Sequence, residues 1–274
     1  METDTKSLWK QVVAFLALTL VFTGIVFLLV LLNGRSLSAL NGLASLLLMW
    51  SPGVAALITI RIFKQPVKEL GWKFGKAKYL GLAYLLPVAY ALPVYLIVWI
   101  STIGKMDLEV MTLSNILLTA TFIVVMAVLS ALGEEIGWRG FLVPRLVKLL
   151  GFQNASLLSG VIWALWHLPF ILFLDYHTST PLWFAVLCFV IMVIGGSFAY
   201  AWLRMASGSL WTAALLHAAH NAFIQNLFDP ATLDGESGVT PWIIGEFGIG
   251  LAVTSILIGV IFWRMKRPWV SVGE

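Results

Sequence analysis

Residues 12–32, VVAFLALTLVFTGIVFLLVLL, decide the fold, because this stretch contains no charged side chain. A helix needs about 20 mostly apolar residues to cross the hydrocarbon core of a bilayer. The stretch is too long for the apolar core of a signal peptide, and no small-residue cleavage site follows it. It therefore predicts a membrane-spanning helix.

Similar apolar stretches recur along the whole chain. The predicted spans are 11–33, 38–62, 79–103, 115–143, 153–174, 182–203, 209–228 and 242–263. Of the 274 residues, 60% are hydrophobic and 11% are charged, whereas a soluble domain carries about 25% charged residues. We expect an all-α, polytopic transmembrane bundle of about eight helices, which forms a single domain over residues 1–274 and contacts the lipid bilayer.

The basic residues predict the orientation of this bundle. With the N-terminus inside, the outer segments hold only Arg35 and Lys105, and the other 15 of the 17 Lys and Arg residues count as inner. Lys and Arg concentrate on the cytoplasmic side of membrane proteins, so both termini are predicted to be cytoplasmic. The same asymmetry accounts for the net charge of +4 without a nucleic-acid partner.

Three clusters of polar residues lie within the predicted spans. An ionisable side chain at membrane depth costs about 2.5–3.5 kcal/mol, so each one needs a functional or structural reason. The clusters contain the following residues: Glu134, Glu135 and Arg139; His167; and His217, His220 and Asn221. They lie on three different spans, and no single local feature explains them together.

Helical spacing separates the two adjacent carboxylates. Glu135 and Arg139 are four residues apart and are expected to form an ion pair on one helix face. Glu134 has no cation three or four residues further along the chain, so we interpret it as the carboxylate that takes part in catalysis. Its depth matches that of the other clusters only if the fourth helix continues past Gly133 to about Pro144.

Glycines repeat at helical spacing in the same segment, at positions 133, 137 and 140. Small residues on one face allow a second membrane helix to approach closely. We therefore expect another helix to pack directly against this part of the fourth helix.

The third cluster has the spacing of an oxyanion site. His217 and Asn221 are four residues apart, and their side chains offer N–H donors on one helix face. His220 could join them, although we favour a packing or supporting role for it. A different chemistry is also open, because Glu134, His167 and His217 could form a zinc site with two His ligands and one Glu ligand. We favour catalysis that requires no cofactor.

The three clusters in this order resemble a known family signature. The matching patterns are Glu134-Glu135-x-x-x-Arg139, Trp163-x-x-x-His167 and His217-x-x-x-Asn221. Together they resemble the type II CAAX prenyl protease and bacteriocin-processing (CPBP, or Abi) family of intramembrane proteases, over about residues 110–228. The second motif departs from the family pattern, because it usually begins with Phe and here begins with Trp163. This change keeps an aromatic stacking surface.

The resemblance implies a fold and a reaction. The family core has eight helices, and its members hydrolyse a peptide bond in a cavity open to the cytoplasm and to lipid. By position, Glu134 and His167 would activate the attacking water, while His217 and Asn221 would hold the oxyanion. Two neighbouring residues would order the site: Glu135 and Arg139. The substrate would be a membrane-anchored peptide or protein, either a prenylated CAAX C-terminus or a bacteriocin or leader peptide. In a prokaryote the protein would lie in the plasma membrane.

Two other function classes remain open from the residues alone. A secondary transporter also places Glu and His in the membrane, but it predicts repeat symmetry between the two halves of the chain. The polar clusters all lie between residues 134 and 221, and residues 1–110 contain no counterpart. A binding or immunity protein could keep the same fold without turnover. The oligomeric state has no signature in the sequence.

Overall fold

The computed structural model describes residues 2–37 and 42–268, with side chains from residue 5 onward. Within these residues the chain is predominantly helical and contains eight helical rods. We label them as follows: α1 (Glu2–Leu32), α2 (Leu43–Ile62), α3 (Ala77–Ile100), α4 (113–150), α5 (152–173), α6 (Leu182–Ser207), α7 (210–228) and α8 (Ile249–Arg264). The predicted all-α bundle is confirmed.

The smaller elements lie in the connections between the rods. A 3₁₀ turn, Val67–Leu70, lies between α2 and α3, and a single helical turn, Thr240–Ile243, precedes α8. Two short strands, β1 (Gly104–Met106) and β2 (Thr232–Asp234), pair antiparallel with Lys105 opposite Leu233. They join the α3–α4 connection to the α7–α8 connection.

Most of the rods have the length and surface of membrane helices. Five helical segments in the described residues are long and apolar enough to cross a bilayer, with α4 and α5 counted together as Leu113–Phe173. Large apolar side chains are exposed on the outside of the bundle, among them Leu20, Leu32 and Ile100. A soluble monomer rarely exposes such an extended apolar surface. The protein is therefore an integral membrane protein.

The fourth helix continues as the sequence predicts. Helical backbone runs from Leu113 through Gly133 and Pro144 and breaks only at Gly151, where φ is 76° and α5 begins. Two stretches of α4, Thr119–Ile123 and Ile136–Leu142, are π-helical, as is the second half of α7, Asn221–Phe228. Such π segments often occur at functional sites, and two of these three adjoin the polar clusters.

The start of the last helix differs from the prediction. The apolar pattern places it at residue 242, whereas α8 begins at Ile249. Gly245 adopts a left-handed conformation, with φ of 72°, and so interrupts the helix that the apolar residues favour. The residues between 243 and 249 consequently form a connection that contributes to the central cavity.

The predicted close approach of a helix to the glycines of α4 is confirmed. A Cβ atom at Gly137 would lie 2.5 Å from Cβ of Pro52 on α2, and one at Gly133 would lie 2.8 Å from the carbonyl oxygen of Met49. The two backbones are therefore in direct contact. This contact places the first polar cluster next to α2.

The connections divide between two faces of the bundle. The N-terminal face carries the α2–α3 connection, the α4–α5 and α6–α7 turns and the end of α8. Contacts join these parts: Arg145 to Gln11, Leu210 to Gly71, and Trp202 to Lys266. The opposite face carries the α1–α2, α3–α4, α5–α6 and α7–α8 connections, which are joined by β1–β2 and by Ser36 and Asp175.

Candidate active site

The three polar clusters line one cavity inside the bundle. The cavity has a volume of about 300 Å³, and its walls include Glu134, His167, His217 and Asn221. These residues come from α4, α5 and α7, which are separated along the chain. The convergence predicted from the sequence is therefore present, while the catalytic role of each residue stays a prediction.

Glu135 forms the predicted ion pair and also holds a histidine. Its Oε1 accepts hydrogen bonds from Arg139 Nη1 and from His217 Nδ1, each at 2.9 Å, and the side chain is fully buried. The guanidinium of Arg139 lies 4.0 Å from the ring centre of Trp163 and 4.2 Å from that of Tyr200. Because Nδ1 of His217 is engaged by Glu135, Nε2 is the nitrogen left for a ligand.

Glu134 is held by neutral donors and has no ion-pair partner among the described residues. Its Oε2 accepts hydrogen bonds from the indole N–H groups of Trp163, at 2.7 Å, and Trp138, at 3.3 Å. The side chain is buried and faces the cavity. The sequence interpretation assigned Trp163 only a stacking surface and missed both indole donors. The four-residue spacing of Trp138 from Glu134 was the available signal.

His167 presents one defined nitrogen to the cavity. Its Nδ1 lies 2.9 Å from the carbonyl oxygen of Trp163, and a carbonyl can only accept, so Nδ1 carries the proton. In the neutral ring Nε2 is then the acceptor. The ring packs against Trp166 and Phe189, with centroids 4.7 and 5.0 Å apart. These contacts fix the ring orientation.

Asn221 occupies the point where α7 changes from α-helix to π-helix. Its backbone carbonyl accepts a hydrogen bond from Asn226 Nδ2 at 2.9 Å, and its side chain lines the cavity. A side-chain amide always offers N–H donors. Asn221 therefore offers an N–H donor on the cavity wall beside His217, whose Nε2 is a donor only when both ring nitrogens are protonated.

The zinc alternative stays a prediction. In residues 2–37 and 42–268, no three His, Cys, Asp or Glu side chains are grouped so that they could hold an ion. Of the predicted ligands, His167 and His217 each use Nδ1 within the protein, as metal-ligating histidines commonly do, and Glu134 uses Oε2 for two indoles. We derive no step of the reaction through a metal.

A second polar group lines the same cavity and was missed from the sequence. Glu246 binds His220 Nε2 through Oε1, at 2.8 Å, and accepts from the Tyr176 hydroxyl through Oε2, at 2.7 Å. The hydroxyl of Tyr90 is hydrogen-bonded to Nδ1 of His220. The available signal was an acidic residue inside the predicted span 242–263. We call Tyr90, Tyr176, His220 and Glu246 the Glu246 network.

The cavity extends toward the face opposite the N-terminus. Its lining includes Leu37, Tyr176 and Glu246 from connections on that face. At the N-terminal face, the α2–α3 connection covers the end of the bundle, where Trp72 accepts from the indole of Trp211 at 2.8 Å. The lining therefore gives no support to the expected cytoplasmic opening.

A hydrogen-bonded loop holds one side of this cavity. Asp175 accepts from Ser36 Oγ at 2.6 Å and from the backbone N–H of Leu37 at 2.8 Å. Partial burial favours the protonated acid, but these hydrogen bonds outweigh it and hold the pKa of Asp175 below its ordinary value. The carboxylate is therefore ionised at neutral pH and fixes Leu37 at the cavity.

Comparison with known proteins agrees with the motif resemblance. A stretch of 43 residues is 44% identical to "CAAX prenyl protease 2" of Methanococcus maripaludis and covers 16% of each chain. This match spans about a sixth of the archaeal protein's length. Residues 116–223, which contain all three motifs, match the sequence model described as type II CAAX prenyl endopeptidase Rce1-like. The resemblance to type II CAAX prenyl proteases is thereby confirmed, and the core of this chain, residues 116–223, matches the Rce1-like family.

Proposed function

We propose that this protein is an intramembrane endopeptidase that cleaves a peptide bond of a membrane-associated substrate. The observation that carries the proposal is the meeting of Glu134, His167, His217 and Asn221 at one buried cavity. A carboxylate without a cation can act as a general base, a histidine with a free acceptor nitrogen can orient a water molecule, and the amide of Asn221 can donate to an oxyanion.

The proposed reaction uses a water molecule as the nucleophile. Glu134 takes one proton from this water. Nε2 of His167 accepts a hydrogen bond from the remaining O–H group and so orients the water oxygen. The water oxygen bonds to the carbonyl carbon, and Asn221 stabilises the oxyanion together with His217 when its Nε2 carries a proton. The C–N bond then breaks, and the proton held by Glu134 passes to the leaving nitrogen. Water is consumed, and a carboxylic acid and an amine are formed.

The cavity wall favours a substrate with an apolar group. Apolar side chains provide much of the lining: Leu48, Met49, Phe170, Phe189, Met192 and Val193. The family match adds CAAX-type prenylated C-termini as the preferred substrate class, with a leader peptide as the alternative. We propose that the substrate enters from the face opposite the N-terminus, because the connections that line the cavity lie on that face; which face is cytoplasmic stays a prediction.

The test uses purified protein in lipid vesicles with a farnesylated CAAX reporter peptide that releases a fluorophore on cleavage. We expect the wild type to cleave the reporter and Glu134→Gln to lose the activity, because the substitution removes the base and keeps the shape. Glu109→Gln is the matched control, since Glu109 is exposed and is not among the residues that line the cavity. Full activity in Glu134→Gln would overturn the assignment of the base. A wild type inactive on both the prenylated reporter and a leader-peptide reporter would overturn the function.

A further inference from the structure

The Glu246 network joins four separate segments at the wall of the cavity. Tyr90 lies on α3, Tyr176 in the α5–α6 connection, His220 on α7 and Glu246 just before α8. Both carboxylate oxygens of Glu246 are engaged, one by His220 and one by Tyr176. Glu246 is therefore the common hydrogen-bond partner of α7 and of the α5–α6 connection, which are separated along the chain by α6.

His220 has no nitrogen left for a substrate. A carboxylate can only accept, so Nε2 of His220 donates to Glu246 and, in the neutral ring, Nδ1 accepts from the hydroxyl of Tyr90. His220 is consequently a supporting residue, in agreement with the role favoured from the sequence. Its backbone is bonded directly to that of Asn221, at the residue where the π segment of α7 begins.

The other arm of the network reaches His167. The ring of Tyr176 lies 6.1 Å from the ring of His167, and Phe189 contacts both, at 5.8 and 5.0 Å. Phe247, the neighbour of Glu246, stacks on Phe189 at 5.4 Å. The segment that carries Glu246 thus reaches His167 by two routes. Tyr176, which binds Glu246, lies against the His167 ring, and Phe247 stacks on Phe189, which also contacts that ring.

A buried ion pair or acid–histidine pair is weak evidence for a stabilising role, because apolar residues of similar volume often stabilise as well or better. A better reason for keeping Glu246 and His220 at the cavity is that they fix the positions of neighbouring side chains. Misplacement of a catalytic group by about 1 Å can cost about 10²-fold in rate. The groups whose placement depends on this network are Asn221 and His167.

We propose that Glu246 is a positioning residue for the candidate active site. It holds Asn221 through His220 and holds His167 through Tyr176, and it does not touch the reacting atoms. This inference rests on the proposed function, because both residues it positions are assigned to peptide hydrolysis there.

The first test compares kcat and KM for Glu246→Ala, Glu246→Gln and Glu236→Ala on the farnesylated reporter. We expect Glu246→Ala to lower kcat by about 10²-fold with KM changed less than about threefold. Glu246→Gln should restore part of the loss, because its amide can replace some of the hydrogen bonds that Glu246 makes. Glu236→Ala, on the exposed α7–α8 connection, should equal the wild type. Wild-type kcat in Glu246→Ala would overturn the inference.

A second measurement separates positioning from general stability. If Glu246 acts partly through Asn221, the loss caused by Glu246→Ala should be clearly smaller in an Asn221→Ala background than in the wild type. Fully additive losses would indicate a merely structural role and overturn the inference. Tyr176→Phe serves if Glu246→Ala does not fold, since it removes only the hydroxyl. We expect a loss in kcat of about tenfold with the fold retained and the melting temperature lowered by only a few degrees, and an unchanged kcat would again contradict the inference.

A third measurement does not depend on catalysis. Hydrogen exchange of the backbone amides of residues 221–228 should be faster in Glu246→Ala than in the wild type, while exchange in α1 should be unchanged. Unchanged exchange in residues 221–228 would overturn the inference even if the reporter is cleaved. Faster exchange together with a wild type that cleaves no reporter would instead refute the proposed function and leave the positioning of α7 supported.

Discussion

Replacement of Glu135 by Gln is expected to destabilise the protein strongly. The substitution removes a charge and keeps the shape of a side chain that is fully buried. Arg139, which is 1% exposed, then loses its only carboxylate partner among the described residues. Two of its nitrogen atoms, Nε and Nη2, already lack a hydrogen-bond partner there. The guanidinium would keep only its neutral contacts with the two aromatic rings.

The expected magnitude follows from this burial. Leaving one charge of a buried pair without its partner costs about 3–5 kcal/mol. The contacts of Arg139 with the rings of Trp163 and Tyr200 are present in the wild type and in Glu135→Gln, so they do not offset the loss of the ion pair. A typical total free energy of unfolding is about 5–15 kcal/mol, so the loss is a large fraction of the stability. Glu134→Gln should cost less than about 1.5 kcal/mol, because the partners of Glu134 are uncharged indoles.

The assay is equilibrium unfolding of the purified protein in mixed micelles with increasing dodecyl sulfate, followed by tryptophan fluorescence. Glu135→Gln and Glu134→Gln form a matched pair, since they are adjacent and make the same chemical change. A double variant, Glu135→Gln/Arg139→Met, should recover much of the loss because it removes the unpaired charge. Equal stability of the two single variants, or no recovery in the double variant, would refute the division of roles between the two carboxylates.

Three further predictions follow from contacts around the cavity. Trp163→Phe removes the closer indole donor to Glu134. We expect kcat on the reporter to fall about tenfold with the fold retained, because one hydrogen bond to a charged group is lost. An unaltered kcat would show that this bond is dispensable. Gly137→Ala should lower the free energy of unfolding by about 1–3 kcal/mol, because its Cβ would lie 2.5 Å from Cβ of Pro52; a melting temperature equal to that of the wild type would contradict this contact. Gln225→Cys should react with a membrane-impermeant maleimide from the face opposite the N-terminus, since Gln225 lines the cavity there; labelling from the N-terminal face alone would place the opening on the other side.

Local spacing predicted a large part of the fold and the first polar cluster. The apolar stretches predicted the helices because an uninterrupted run of about 20 apolar residues has few stable alternatives to a membrane helix. The pair of Glu135 and Arg139 and the contact of Gly137 with another helix depend on neighbours along one helix face. Such relations require only the helical period, and both are present in the structure.

The Glu246 network could not be predicted in the same way. Tyr90 and His220 are 130 residues apart, and His220 and Glu246 are 26 apart, so no periodicity relates them. The left-handed Gly245 ends the regular pattern just before Glu246 and places this residue in a connection. Hydropathy averages over a window and does not detect one acidic residue beside such a break. The indole donors to Glu134 were missed for a related reason, because Trp was interpreted by its ring and not by its N–H group.

The different surroundings of the two adjacent glutamates give a physical reason for their different roles. Glu135 shares one oxygen between Arg139 and His217, so its charge is compensated by a buried cation. Glu134 receives only indole N–H groups on one oxygen, and its carboxylate can gain a proton without leaving a buried cation unpaired. A general base must change its charge in every turnover. Of the two carboxylates, only Glu134 can do so without breaking the ion pair that holds His217 at the cavity.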